Sequence, residues 1–212
     1  MRRTSSTLPT RKLLLVLTSI LLLTGCGRSV PVSYYQLAPV KGEEPVTTAT
    51  AAGNLVIGIG PVRLQEHLDR PQLITRTGAN RLHLADRHRW AEPLAANIAW
   101  VLRDNLAALL ATEHLPLYPW ERTTLVNYQL TLEILHCEGA EDGAAHLAAL
   151  WSITNRDGKT LQPPRRSSYR IPPATPDQEG LASALSAALF QLSREIVGEI
   201  ERLRNNTPVR NQ

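Results

Sequence analysis

Two cysteines and six histidines carry the side chains in this 212-residue chain best suited to nucleophilic attack or metal ligation. His67, His114, His136 and His146 are scattered, and His83 and His88 stand five apart; none of these spacings is a recognised zinc pattern. His83, Asp86 and His88 around one turn offer a metal site on paper, but a solvated loop next to a helix start is the simpler reading. No Gly-x-Ser-x-Gly elbow supplies a nucleophile. Gly58-Ile59-Gly60 lacks the third glycine and the following helix of a dinucleotide loop. No carboxylate pair is singled out for glycoside chemistry. The residues thus point away from an enzyme and toward no metal, catalytic residue or diffusible cofactor. What remains is sulfur. Cys26 follows directly on an apolar run, and Cys137 ends an alternating strand pattern.

The run before Cys26 explains its chemistry. Arg2, Arg3, Arg11 and Lys12 precede 11 residues, Leu13 to Leu23, interrupted only by Thr18 and Ser19. A basic segment, a short apolar segment and a small-residue site describe a secretory signal. The run is too short to span a bilayer core, which takes about 20 residues. Leu23-Thr24-Gly25-Cys26 resembles a bacterial lipobox. The resemblance implies cleavage before Cys26, a diacylglyceryl thioether on its sulfur and an acyl group on the new amino terminus. Residues 1–25 are thus expected to be a cleaved signal peptide, and the cofactor-like group of the mature chain is the covalent lipid on Cys26. With that thiol consumed, Cys137 has no partner for an intrachain disulfide, and burial is its expected protection in an oxidising compartment.

Cleavage also changes the charge. The full chain carries +4, from 23 Lys and Arg against 19 Asp and Glu; the leader holds four of the basic residues and none of the acidic ones, so the mature chain is formally neutral. A basic surface for nucleic acid is therefore not expected.

Residues 26–33 form a lipidated tether reaching about 25 Å at most when extended. A domain over 34–204 and a polar tail over 205–212 follow. Tyr34-Tyr35-Gln36-Leu37 reads as a short strand, and Ala38 to Gly53 as a loop rich in Pro, Thr, Ala, Gly and Glu. Leu55 to Val62 is a strand that Pro61 closes or bulges. Its Gly58 and Gly60 share a face bare of side chains, which another element could approach. Leu64 to Arg70 is a turn or short helix. Pro71 to Thr77 and Arg81 to Leu84 make a hairpin through Gly78-Ala79-Asn80. Leu94, Ile98, Val101, Leu102, Leu106, Leu109 and Leu110 form one helical stripe, with Pro93 and Glu92 at its positive end. Val126 to Ile134 alternates as a half-buried strand, Glu138 to Gly143 is a polar turn, and Leu147 to Thr154 returns antiparallel. An edge strand is expected near Ser167 to Ile171. A final helix carries Leu181, Leu185, Leu189, Leu192, Ile196, Ile200 and Leu203 on one stripe. The expected architecture is α/β or α+β: a single layered domain with a mixed, mostly antiparallel sheet and two long helices packed on it.

Two stretches mix polar and apolar groups in a way that suits binding. His67-Leu68-Asp69-Arg70-Pro71-Gln72-Leu73 lies between elements, where binding loops often lie. Arg89-Trp90-Ala91-Glu92-Pro93-Leu94 places a large aromatic before a helix, either as a hydrophobic staple, the simpler use, or as a contact. Asp69, Arg70, Pro71, Gln72 and Trp90 are the candidate partner-binding residues.

Taken in order, the lipobox ending at Cys26, Tyr34-Tyr35-Gln36-Leu37, Leu68-Asp69-Arg70-Pro71-Gln72-Leu73, Trp90-Ala91-Glu92-Pro93-Leu94 and the amphipathic last helix resemble the ABC-type transport auxiliary lipoproteins, the PqiC-like intermembrane transport lipoproteins. His67 stands where relatives often have tyrosine. The resemblance implies a periplasmic α/β domain without enzymatic activity, working with an MCE-domain protein and an inner-membrane permease that move lipid between the two membranes. It leaves homo-oligomerisation open. Gly27, rather than aspartate, after the acylated cysteine favours the inner leaflet of the outer membrane over retention at the inner one. The alternatives are a lipoprotein that itself binds a lipid or envelope glycan, which requires a deep apolar cavity, and an envelope hydrolase, which requires a polar pocket of converging His and carboxylate groups.

Overall fold

The computed structural model describes residues 30–40, 55–121 and 123–206. The leader, Cys26, the loop after Val40 and the end of the tail lie outside them. The chain divides into compact units at Pro31/Val32, and the second unit holds every strand and helix of the described residues. Its elements are β1 (Ser33–Tyr35), β2 (Ile57–Leu64), β3 (Gln72–Gly78), β4 (Arg81–Trp90), α1 (Leu94–Leu110), β5 (Tyr128–Gly139), β6 (Ala145–Asn155), β7 (Thr160–Ile171) and α2 (Gln178–Asn206). This is an α/β domain with one open, mixed sheet in the order β1-β4-β3-β5-β6-β7, to which β2 adds beside β5.

The antiparallel ladders β3–β4, β5–β6 and β6–β7 are long; β1–β4 is parallel over three residue pairs and β3–β5 over one. β5 organises the middle. Its first half runs parallel to β2 from Tyr128 to Ile134, and its end meets β3 at Thr75↔Gly139. Leu130, Leu132 and Ile134 of β5 and Leu147, Ala149, Trp151 and Ile153 of β6 face one core, as the alternation requires. The helices cover that core. α2 packs on β5, β6 and β7, and α1 on β2 and α2. The expected stripe of α1 is buried throughout, and Leu181, Leu185, Leu189, Leu192, Ile196 and Ile200 of α2 are buried beside it.

Several boundaries differ from the sequence expectation, each for a visible reason. β2 runs past Pro61 to Leu64, because its register against β5 shifts between Ile59 and Val62 and absorbs the proline. β4 extends to Trp90, so the stretch around Asp86 and His88 is strand rather than a solvated loop; it has β1 on one side and β3 on the other. Glu138 and Gly139 belong to β5, leaving only 140–144 as the turn. β7 begins at Thr160 and includes Pro163 and Pro164, which an edge strand tolerates because one side of its backbone has no ladder to donate to.

The face of Gly58 and Gly60 is approached by another element, and that element is the chain's own. A Cβ on Gly58 would stand 2.7 Å from the Trp120 ring, and one on Gly60 2.9 Å from Cβ of Tyr118. Gly60 also has φ +110°, a conformation that favours glycine. This face is already occupied by Trp120 and Tyr118.

Candidate partner-binding cleft

The turn after β2 is built around Leu68, which is 1% exposed. Hydrogen bonds from Leu68 N to Gln65 O and from Arg70 N to Leu68 O, both 2.8 Å, close it and turn Asp69, Arg70 and Pro71 outward. The carbonyl of Pro71 then accepts the Trp90 N–H at 2.7 Å, and Tyr35 O accepts the Ala91 N–H at 2.7 Å. These bonds bring the two motif stretches together although about 20 residues separate them. Asp69, Arg70, Pro71, Trp90, Ala91, Glu92, Pro93 and Leu94 line one open cleft of about 340 Å³. Its lining mixes apolar Pro71, Trp90, Ala91, Pro93 and Leu94 with the charged Asp69, Arg70 and Glu92, and Trp90 and Leu94 are its buried members. Four of the five candidate partner residues thus share a site. Gln72 does not line it, pairing instead with Arg89 in the β3–β4 ladder. Trp90 is only 6% exposed, so its ring packs the core at the start of α1.

A cleft of this size and lining suits a partner's proline or aliphatic side chain flanked by polar groups. It is at the lower end of small-ligand pockets, about 300–1,000 Å³, and a diacyl lipid does not fit it. A second cavity, about 690 Å³, lies between α1 and the loops at 113–116 and 124–125, with Arg103, Asp104, Glu113 and His114 beside the apolar Val56, Ala107, Leu115 and Leu125 in its lining. His88 is engaged elsewhere, its Nδ1 lying 2.8 Å from the Tyr35 hydroxyl. Among the described residues no three His, Cys, Asp or Glu side chains are placed to hold a metal ion.

Two polar arrangements went unseen in the sequence. The first is centred on Glu138, 1% exposed at the end of β5. Its Oε1 accepts from Arg76 Nε at 2.9 Å and lies 3.2 Å from His136 Nδ1, while His67 Nε2 stands 3.5 Å from Oε2. Burial pushes this carboxyl up, but hydrogen bonds from His136 and Arg76, with the Arg76 charge, outweigh it and hold the acid below its ordinary 4.5. His136 stacks on His146 at 4.5 Å, and burial, then the His136 and Arg170 charges, lower the His146 pKa.

The second ties the segment after β1 to both helices. Asn97 of α1 accepts from Leu37 N at 2.7 Å and donates to Leu37 O at 3.3 Å, imitating a strand partner. Ser186 of α2 accepts from Ala38 N, and Asn105 accepts from Val40 N while donating to Ser193. The available signal was the position of Asn97 and Asn105 four residues either side of Val101, on the apolar stripe of α1.

Cys137 is buried, as expected, and burial, reinforced by the Glu138 carboxylate, pushes its thiol up to about 12. A disulfide reagent at neutral pH is therefore expected to leave Cys137 unmodified in the native protein and to titrate it at once in denaturant.

Solved structures share this fold. One is an uncharacterized protein, at 19% identity and a TM-score of 0.64 over 81% of this chain and 99% of that one. Another is protein XCC0632 of Xanthomonas campestris, at 16% identity and a TM-score of 0.60 over 82% of this chain and 97% of that one. No curated protein is detectably similar in sequence. The family model for the ABC-type transport auxiliary lipoprotein component matches residues 35–197, from β1 into the last turns of α2 and across both motif stretches of the cleft, and the chain belongs to that family.

Proposed function

We propose that this protein is the lipid-anchored accessory subunit of an MCE-type ABC system that moves lipid between the envelope membranes. In this reading Cys26 holds it to the inner leaflet of the outer membrane, facing the periplasm. The MCE-domain protein, with its inner-membrane permease, is the partner, and it is met at the cleft between Asp69–Pro71 and Trp90–Leu94. The observation that carries the reading is the convergence of two distant family-like stretches on one exposed, mixed-polarity cleft. A rigid sheet and helix start form its base, so the site is preorganised for a protein side chain. The family is one of transport auxiliaries and not a known enzyme family. Three acyl chains make the attachment effectively permanent, since each buried CH₂ adds about 0.8 kcal/mol.

The test has two arms. Cys26→Ala is expected to move the protein from the membrane fraction to the soluble periplasm and to abolish support of the pathway; full function from that unanchored form overturns the anchoring. A photocrosslinker at Arg70, an exposed position, is expected to capture the MCE-domain protein. Asp69→Ala with Glu92→Ala should diminish the crosslink while leaving stability within about 0.5 kcal/mol, as surface substitutions usually do. Crosslinking that persists undiminished in that variant removes the cleft from the interface.

A further inference from the structure

Among the described residues β1 is the last strand on its side of the sheet, and no other described strand pairs with the far side of its backbone. Its side chains divide sharply. Tyr35 turns inward, its hydroxyl on His88. Val32 and Tyr34 are 37% and 64% exposed. In the sequence the apolar alternation continues back to Val30, with Pro31 and Ser33 between. An apolar edge left open invites pairing with another chain or requires a cover.

The length of chain before β1 identifies the cover. Six residue steps separate Cys26 from Val32, so Val32 stands no more than about 21 Å from the acylated residue, and less for any path short of full extension. The headgroup layer is itself about 5–8 Å deep on each side of the hydrocarbon core. We propose that Val32 and Tyr34 rest in the interfacial layer of the membrane that holds Cys26, and that the β1 edge is the membrane-facing side of the domain. This rests on the acylation of Cys26.

The residue chemistry fits that place. A tyrosine ring with its hydroxyl is suited to the boundary between headgroups and acyl chains. Arg28, between the anchor and the strand, suits an anionic headgroup. A second strand is the poorer occupant, because β1 has only three residues and Pro31 just before it supplies no N–H. The consequence is directional. Tyr35 pairs with Trp90, so the cleft opens beside the membrane-facing edge, and a partner would be engaged close to the lipid surface.

The experiment uses the full acylated protein, reconstituted in phosphatidylethanolamine/phosphatidylglycerol vesicles that contain nitroxide-labelled acyl chains. An NBD fluorophore is placed at Tyr34→Cys or, as control, at Leu125→Cys, a residue 59% exposed on another part of the surface. Buried Cys137 stays unlabelled, and the mass of the amino-terminal peptide reports acylation separately. The expected result is loss of NBD emission at position 34 with emission retained at 125. Emission retained at 34 in protein whose acylation is confirmed, or equal loss at both positions, overturns the proposal and leaves the anchor standing. An unacylated Cys26 overturns the anchor, and the membrane face with it.

Discussion

Arg76→Met is expected to destabilise the domain by about 3 kcal/mol, because it leaves the Glu138 carboxylate buried without its cation. The guanidinium contacts Glu138 Oε1 through Nε and Nη2, both at 2.9 Å. His136 and His67 cannot replace a permanent charge, since each is charged only when protonated. Denaturant unfolding measures the loss. The double variant Arg76→Met/Glu138→Leu should recover most of it, because a buried ion pair exchanged for apolar groups is often nearly neutral, whereas breaking one is not. A double variant as unstable as the single one would show that packing by the Arg76 stem, rather than the charge, is responsible.

The same network sets a pH dependence. Glu138 is held below its ordinary value of 4.5 in the folded state. A depressed acid contributes stability that is fully present above its unfolded value and disappears as pH falls through its folded one. Unfolding midpoints should therefore be flat in this contribution from neutrality down to about pH 5 and fall below it. The fall should be smaller in Glu138→Gln.

Asn97→Leu is expected to cost about 3 kcal/mol, a similar loss from a different origin. The Asn97 side chain is 4% exposed and satisfies both the N–H and the C=O of Leu37, itself 2% exposed. Leucine keeps the volume but leaves two buried backbone groups unpaired, each worth about 1–3 kcal/mol. Hydrogen exchange at Leu37 should accelerate more than the global loss requires, because the segment after β1 loses its tie to α1 before the sheet opens. Asn105→Ala should do less, since its bond to Val40 N is longer, 3.3 Å, and only partly buried. The tie fixes the segment after β1 to both helices.

The elements legible in the sequence were those whose pattern is local. The α1 stripe and the α2 stripe are periodic over many turns, and β5 and β6 alternate, so each announced its type and its buried face. The cleft was half legible. Leu68-Asp69-Arg70-Pro71 and Trp90-Ala91-Glu92-Pro93-Leu94 could each be singled out for mixed composition. Their meeting depends on the Pro71 carbonyl accepting from Trp90 N, a contact between segments that no local pattern encodes. β4 was cut short for the same kind of reason. His83, Asp86 and His88 look solvated along the chain, but pairing with β1 and β3 on its two sides keeps the stretch extended.

By itself the sequence determined the two amphipathic helices and the alternating strands β5 and β6, which follow from residue type and short-range spacing. Only the tertiary structure decided that Glu138 is a buried acid and not part of a polar turn. It likewise decided that Gly58 and Gly60 are covered by Trp120 and Tyr118, and that Val32 and Tyr34 are exposed on a strand that ends the sheet among the described residues. The physical reason is common to all three. Whether a side chain is buried, paired or bare depends on which distant segment comes to lie against it, and that is settled by the packing of the whole sheet under its helices.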